Sequence, residues 1–346
     1  MAKGIVKRIR TALIVLVALI FVATTLGSAQ AATFQIKPKG NKKIKIGVLD
    51  LISAIEVAAL ANGYYTKWAK ERGWDLQIFD IAGDYTKAQS FMDNMITAGY
   101  DGIIVNWTAF SYFDQQVLKA YKAGIPVQGI ACGNMAPGVI SQGIAPEMGF
   151  AALSSLYLVS KLHAGDKIII YHDPMVQTSL FRANTAKVTF DSYRIKIGQE
   201  IHFPGSGDPY QVSYEMMKNA FLADTKKEIK GVWTHWEGYG VSAARAAMDM
   251  GRKEVIVVTC DDAQNTYKAL REIPTLWATS GANWDAPEWT NRLFRNFDKI
   301  FAGQPFEDQE VWFSIPNLVT KNNLPPPGYY FSPCGYKGRP PDFKVK

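Results

Sequence analysis

Aromatic and polar side chains follow several of the short apolar segments in this chain. Asn106 and Trp107 come directly after one such segment, Trp236 and Glu237 follow another, and Asp261 follows a third. An indole ring offers a flat face to a sugar ring or a cation, and amide and carboxylate groups hydrogen-bond to hydroxyls. These contacts need no nucleophile or proton transfer, so the pattern predicts reversible binding of a small polar solute.

Four further residues are candidates for the same site. Arg182 stands early in a predicted helix, Asn283 and Trp284 follow a late strand, and Glu56 lies in the first loop. Each has a structural alternative: an indole can belong to the core, Arg182 can form a surface ion pair, and Glu56 can interact with the dipole of its own helix. Next to Asp261, Asp262 is expected to cap the following helix.

One stretch resembles an enzyme motif. Residues 238–243 match GxGxxA, and Asp261 ends the next strand, as in a dinucleotide-binding fingerprint. A single match is weak evidence, and the loop before the first glycine is long for that motif. We therefore interpret the glycines as a place of close contact between a helix and a strand, and keep an NAD(P)-dependent enzyme as a distant alternative.

Other catalytic and metal-binding patterns are absent from the sequence. There is no GxSxG, HExxH or Walker A motif, and His235 has no second histidine or cysteine at metal-ligand spacing. Cys132, Cys260 and Cys334 form no CxxC pair, so they are interpreted either as one disulfide with a free thiol or as buried thiols. We expect no enzymatic activity, no cofactor and no metal.

The elements that would position these residues alternate regularly along the chain. From Ile44 onward, short β-branched segments alternate with amphipathic helical segments; the alternation pauses at Val139–Ala145 and then continues to Ile315. This pattern is typical of βαβ units with a parallel sheet covered on both faces. Two such runs predict two doubly wound α/β lobes, with ligand contacts at the carboxyl ends of the strands.

The N-terminal segment indicates export. A basic start precedes an apolar run, Ala12–Ala23, and Ala29-Gln30-Ala31 fits a signal-peptidase site. We therefore expect residues 1–31 to be a cleaved signal peptide and the mature protein to be periplasmic. Four of the 38 basic residues and none of the 31 acidic residues precede Ala32, which leaves the mature chain near +3. That charge is too small to indicate nucleic-acid binding.

Several stretches resemble the type I periplasmic binding proteins, the branch that includes ribose- and galactose-type sugar binders. They are spread over nearly the whole mature chain, at residues 45–48, 98–105, 123–127, 251–258 with Asp261, and 301–305. The resemblance implies two lobes between which the chain crosses three times. Residues 44–143 and 284–313 would form the first lobe, and residues 144–283 and 314–346 the second. The crossings are expected near Gly143, Asn283 and Ser314.

The resemblance implies ligand roles for Arg182, Asp261 and Asn283. The sequence departs from the family where a sugar-binding Asp-Arg pair is replaced by Ala131-Cys132. The resemblance nevertheless implies a monomeric binding protein that closes on a sugar or polyol and delivers it to the membrane permease of an ABC importer. The alternative is a periplasmic partner of a sensor kinase that recognises an amine oxide or another small solute.

Overall fold

Twelve strands and nine α-helices make up the part of the chain that the computed structural model describes, residues 43–307 and 309–332. The predicted signal peptide, Cys334 and the last residues of the tail lie outside that part. The strands are β1 Lys45–Asp50, β2 Asp75–Asp80, β3 Gly102–Asn106, β4 Val127–Ile130, β5 Val139–Ile144, β6 Lys167–His172, β7 Lys196–His202, β8 Ile229–Thr234, β9 Ile256–Cys260, β10 Leu276–Gly281, β11 Glu310–Phe313 and β12 Asn317–Thr320.

The helices alternate with the strands, as the sequence predicts. They are α1 Glu56–Glu71, α2 Tyr85–Thr97, α3 Asp114–Lys122, α4 Glu147–Val159, α5 Gln177–Ser192, α6 Pro209–Ala223, α7 Glu237–Asp249, α8 Gln264–Glu272 and α9 Ala286–Phe301. Gly99 and Gly124, just after α2 and α3, have positive φ and end these helices as left-handed caps. None of the described helices is both long and apolar enough to cross a membrane.

The strands form two six-stranded sheets, each with helices on both faces. The first has the order β11-β5-β4-β3-β1-β2 and is parallel throughout; the second has the order β12-β10-β9-β8-β6-β7, with only β12 antiparallel. The central strands are buried on both faces, which explains their continuous apolar sequences. The fold is thus two doubly wound α/β lobes, in agreement with the sequence prediction.

Two of the observed strands were not predicted from the sequence. Residues 139–144, interpreted from the sequence as a pause, form β5, which is buried between β4 and β11. Polar and small residues interrupt its apolar pattern, but they have partners inside the fold, such as the Ser141 hydroxyl, 2.5 Å from the Gln128 side-chain oxygen. β12 was missed because it is short and pairs antiparallel at a sheet edge.

Late segments of the chain return to both lobes. β11 pairs with β5 in the first sheet, β12 pairs with β10 in the second, and α9 packs on α1. The indole of Trp68 donates to Thr290 at 3.0 Å, and Arg72 forms an ion pair with Asp298 at 2.8 Å. These contacts tie the C-terminal part of the chain to the first lobe; the residue bounds inferred for the two lobes stay a proposal.

Candidate functional site

A cavity of about 190 Å³ lies between the two lobes and receives side chains from both. Its volume is comparable with the roughly 150 Å³ cavity that holds a benzene molecule in other proteins. The wall is mostly apolar and includes four indole rings, those of Trp107, Trp236, Trp289 and Trp312. The space therefore suits one molecule with about the size of a single ring.

Five of the nine residues proposed from the sequence line this cavity. They are Trp107, Arg182, Trp236, Asp261 and Asn283. Four follow the carboxyl ends of strands, and Arg182 lies on α5, the helix after β6. Parallel strands bring these ends to one edge of a sheet, so residues far apart in sequence meet there.

The backbone is strained at three positions that follow the carboxyl ends of strands in the two sheets. Trp107, Ala131 and Asp261 directly follow β3, β4 and β9, and their φ angles are 52°, 52° and 68°. Residues other than glycine rarely adopt this left-handed region, and such strain is often found at functional sites. The strained turns place the indole of Trp107 and the carboxylate of Asp261 on the cavity wall.

A buried ionic cluster lies at the second-lobe side of the cavity. The Arg182 Nε donates to Glu147, and its Nη1 donates to Asp261 Oδ2 at 2.6 Å and to the His235 carbonyl at 2.7 Å. The guanidinium also lies 5.1 Å from the centre of the Phe150 ring. Arg182 is therefore held by protein groups on several sides and presents a fixed cation to the cavity.

Burial changes the pKa of both ends of this cluster. Desolvation raises the pKa of the Glu147 carboxyl to about 7, although the charge of Arg182 opposes the shift. Desolvation lowers the pKa of the Arg182 guanidinium, but the carboxylates of Asp261 and Glu147 more than offset it, and the pKa rises well above its ordinary value. Arg182 therefore stays charged, whereas Glu147 titrates near neutral pH.

Two indole N–H groups of the wall have no hydrogen-bond partner among the described residues. They are the Nε1 atoms of Trp236 and Trp312, which come from opposite lobes and are buried. Trp236 is held in place by Tyr210 and by an edge contact with Tyr239 at 5.1 Å between ring centres. An indole N–H can only donate, so both groups are donors that no described group satisfies.

The other four proposed residues lie outside the cavity lining. Asn106 is buried and accepts from the Tyr65 hydroxyl at 2.8 Å, and the Trp284 indole donates to the Ile315 carbonyl at 3.1 Å. Glu237 begins α7 and is buried, and desolvation raises its pKa well above the ordinary value. A position beside a strand end brings a residue near the cavity, but it does not set the direction of the side chain.

Glu56, the fourth of these residues, links the two lobes. Its carboxylate accepts hydrogen bonds from the backbone N–H groups of Gln264 and Asn265 at the start of α8, the latter at 3.1 Å. It also accepts from the Tyr330 hydroxyl at 3.0 Å. The sequence left open a ligand contact or an interaction with the dipole of Glu56's own helix. Glu56 is the first residue of α1, and its carboxylate also lies at the N-terminus of a helix in the other lobe.

Sequence reasoning missed several residues of the site. Trp289 lies in the first turns of α9 and Trp312 in β11, so neither follows a strand end. Glu147, at the start of α4, has no sequence feature apart from its charge that would mark it as a candidate for the site. Only the return of α9 and β11 to the first lobe brings the two indoles to the cavity.

The glycines of the GxGxxA stretch are structural. Gly238 and Gly240 lie inside α7, not in a loop between strand and helix. A Cβ atom on Gly240 would lie 2.5 Å from the Cβ of Thr259 in β9. The helix therefore packs against the sheet at a distance that excludes a side chain, as the sequence interpretation expected.

Comparison with known proteins gives one family. The family described as "Periplasmic binding protein domain" matches residues 29–305. No curated protein is significantly similar to the chain in sequence.

The fold is shared with many solved structures. A solute-binding protein of an ABC transporter from Agrobacterium vitis, with bound allitol, is 17% identical; the match covers 82% of this chain and 97% of that one, with a TM-score of 0.74. A counterpart from Actinobacillus succinogenes 130z, with bound D-allose, is 18% identical over 82% and 99% of the chains, with a TM-score of 0.70.

A third structure contains bound 5-methylthioribose. It is the 5-methylthioribose transporter solute-binding protein from Thermotoga lettingae TMO, 18% identical over 83% of this chain and 89% of that one, with a TM-score of 0.73. At these identities the likeness shows a common fold.

Proposed function

Because the chain belongs to the periplasmic binding protein family, we propose that it captures one small molecule between its lobes and delivers it to the membrane permease of an ABC importer. The observation that carries this proposal is the cavity of about 190 Å³ that is lined from both lobes. A ligand held in this way contacts both lobes at once, so binding favours the closed arrangement. The protein performs no chemistry on its ligand.

The ligand class that we propose is a sugar or polyol. The related solute-binding proteins with bound D-allose and allitol support this class. Indole faces suit the C–H face of a sugar ring, and the cavity has the size of one ring. Arg182 and the free N–H groups of Trp236 and Trp312 can donate to hydroxyl oxygens, and the carboxylate of Asp261 can accept from a hydroxyl.

Contacts between the lobes support closure as the mechanism. Glu56 of the first lobe accepts from the N-terminus of α8, and the Tyr112 hydroxyl donates to the Met175 carbonyl at 3.1 Å. Both contacts lie at the border of the cleft, and both would break if the lobes moved apart. A closed form held by a few such bonds can reopen, which release of the ligand requires.

A thermal-shift screen of the protein without residues 1–31 tests the ligand class. The panel contains D-allose, allitol, other aldoses and polyols, and small amines and amine oxides. A ligand at 100 times its Kd should stabilise the protein by about 2.7 kcal/mol, and calorimetry then gives the Kd. If amines or amine oxides bind and no sugar or polyol does, the proposed ligand class is wrong; binding of none would contradict the proposed function.

The variant Trp236→Phe tests the site. It keeps an aromatic face but removes the free N–H, and an unpaired ligand oxygen should cost about 1–3 kcal/mol in affinity. Trp74→Phe is the matched control, because Trp74 packs on Phe294 and Phe301, away from the cavity. Equal affinities for Trp236→Phe and Trp74→Phe would contradict the proposed role of Trp236.

A further inference from the structure

Two of the four histidines of the chain meet a glutamate at the outer edge of the second sheet. His172 ends β6, and Glu200 and His202 belong to β7, the edge strand beside it. In the parallel register His172 is the partner of His202. Residues two apart on a strand point to the same face, so all three side chains converge on one side of the sheet. None of them lines the ligand cavity.

The donor atoms of the three side chains are close together. His172 Nε2 lies 2.8 Å from Glu200 Oε1, and His202 Nε2 lies 3.1 Å from the same oxygen. All three ligand atoms lie within 4.8 Å of one another. A tetrahedral zinc ion with bonds of about 2.0–2.1 Å needs ligand atoms roughly 3.3 Å apart. The two nitrogen-to-oxygen distances would each have to lengthen by only a few tenths of an ångström to reach that separation.

The surroundings of the cluster suit a site that is fixed on one side and open on the other. The His172 side chain is 3% exposed, whereas those of Glu200 and His202 are 32% and 51% exposed. His172 Nδ1 is buried and has no partner among the described residues, so Nε2 is the ring nitrogen that makes bonds. An ion would thus be anchored from inside and keep coordination positions for water.

We propose that His172, Glu200 and His202 bind a divalent first-row transition-metal ion, with Zn²⁺ as the reference case. Two imidazole nitrogens and one carboxylate oxygen form a donor set that these ions accept. The ion would replace the present contacts to Glu200, including the one from the Lys187 ammonium. It would join β7 to β6 beside the segment that leads to Val176, a cavity residue.

Zinc binding to the untagged, chelator-treated protein without residues 1–31 tests the proposal. In a competition assay with a fluorescent zinc indicator, we expect one Zn²⁺ per chain. His202→Ala and Glu200→Gln should each weaken binding at least about tenfold. Lys187→Met should tighten it, because the competing ammonium is removed. His163→Ala is the matched control, since His163 is exposed and lies outside the cluster.

Circular dichroism and the metal-free Tm of each variant show whether it is folded. Uptake of less than one Zn²⁺ per chain by the folded parent protein would overturn the proposal. Unchanged affinity in both His202→Ala and Glu200→Gln, or an equal loss in His163→Ala, would overturn it too. So would weaker binding by Lys187→Met. The result is independent of the proposed function, because the cluster and the ligand cavity share no residue.

Discussion

The buried carboxyl of Glu147 allows a quantitative test of the site's electrostatics. We expect Glu147→Gln to remove a pH-dependent loss of stability that the parent protein shows near neutral pH. Burial raises the pKa of Glu147 from 4.5 to about 7, so the folded state holds its proton over a range in which the unfolded state has lost it. Where the folded state binds more protons, the free energy of unfolding falls as pH rises.

The magnitude follows from the size of the shift. A shift of about 2.5 pKa units corresponds to about 3 kcal/mol, present in full below pH 4.5 and lost as the pH rises through about 7. In Glu147→Gln the amide cannot ionise, and Arg182 keeps its bonds to Asp261 and the His235 carbonyl. The parent protein should therefore lose about 2–3 kcal/mol relative to the variant between pH 5 and pH 8.

Urea unfolding at pH 5, 6, 7 and 8 measures this difference directly. The matched control is Glu71→Gln, which changes an exposed glutamate at the end of α1 and should give no pH-dependent difference from the parent. The reasoning would be refuted if the difference between parent and Glu147→Gln were constant from pH 5 to pH 8. It would equally be refuted if the parent gained stability relative to the variant as the pH rose.

Three further predictions concern other parts of the molecule. Glu56→Gln should weaken the contact between Glu56 and the N-terminus of α8 by about 0.3–2 kcal/mol. Small-angle X-ray scattering of the ligand-free variant should then show a larger radius of gyration than that of the parent protein, and an unchanged radius would contradict this contact between the lobes. Gly240→Ala should cost about 1–3 kcal/mol of stability, because the new Cβ would lie 2.5 Å from the Cβ of Thr259, and an unaltered Tm would refute this close packing. Titration of the parent protein with NAD should show no binding, and a micromolar affinity would refute the structural role of these glycines. The exported protein should begin near Ala32, and N-terminal sequencing that finds Met1 would refute the cleaved signal peptide.

Much of the fold could be predicted from the sequence because its signals are local. Apolar segments of strand length alternate with amphipathic segments, and glycines mark the ends of helices such as α2 and α3. The same reasoning failed for β5, whose polar residues find partners only after the sheet has formed. The bounds of the lobes and the signal peptide stay predictions.

The site could be predicted in part for a similar reason. Strand ends were visible in the sequence, and parallel pairing brings them to one edge, so Trp107, Trp236 and Asp261 were found. The direction of each side chain depends on neighbours that are distant in sequence, so the sequence does not show it. For this reason Glu237 was assigned to the cavity, although its side chain is buried at the start of α7 and outside the cavity lining. The role of the cavity residues in ligand binding stays a proposal.

The sequence by itself determined the two α/β lobes, the edge at which they meet and the polar and aromatic character of several residues there. Only the tertiary structure brought Trp289 and Trp312 to the cavity, placed Glu56 at a helix of the other lobe, and joined His172 to Glu200 and His202. The physical reason is that periodicity and caps act between residues close in the chain. Strand order, register and the return of α9 and β11 are set by packing between distant segments, which no local pattern encodes.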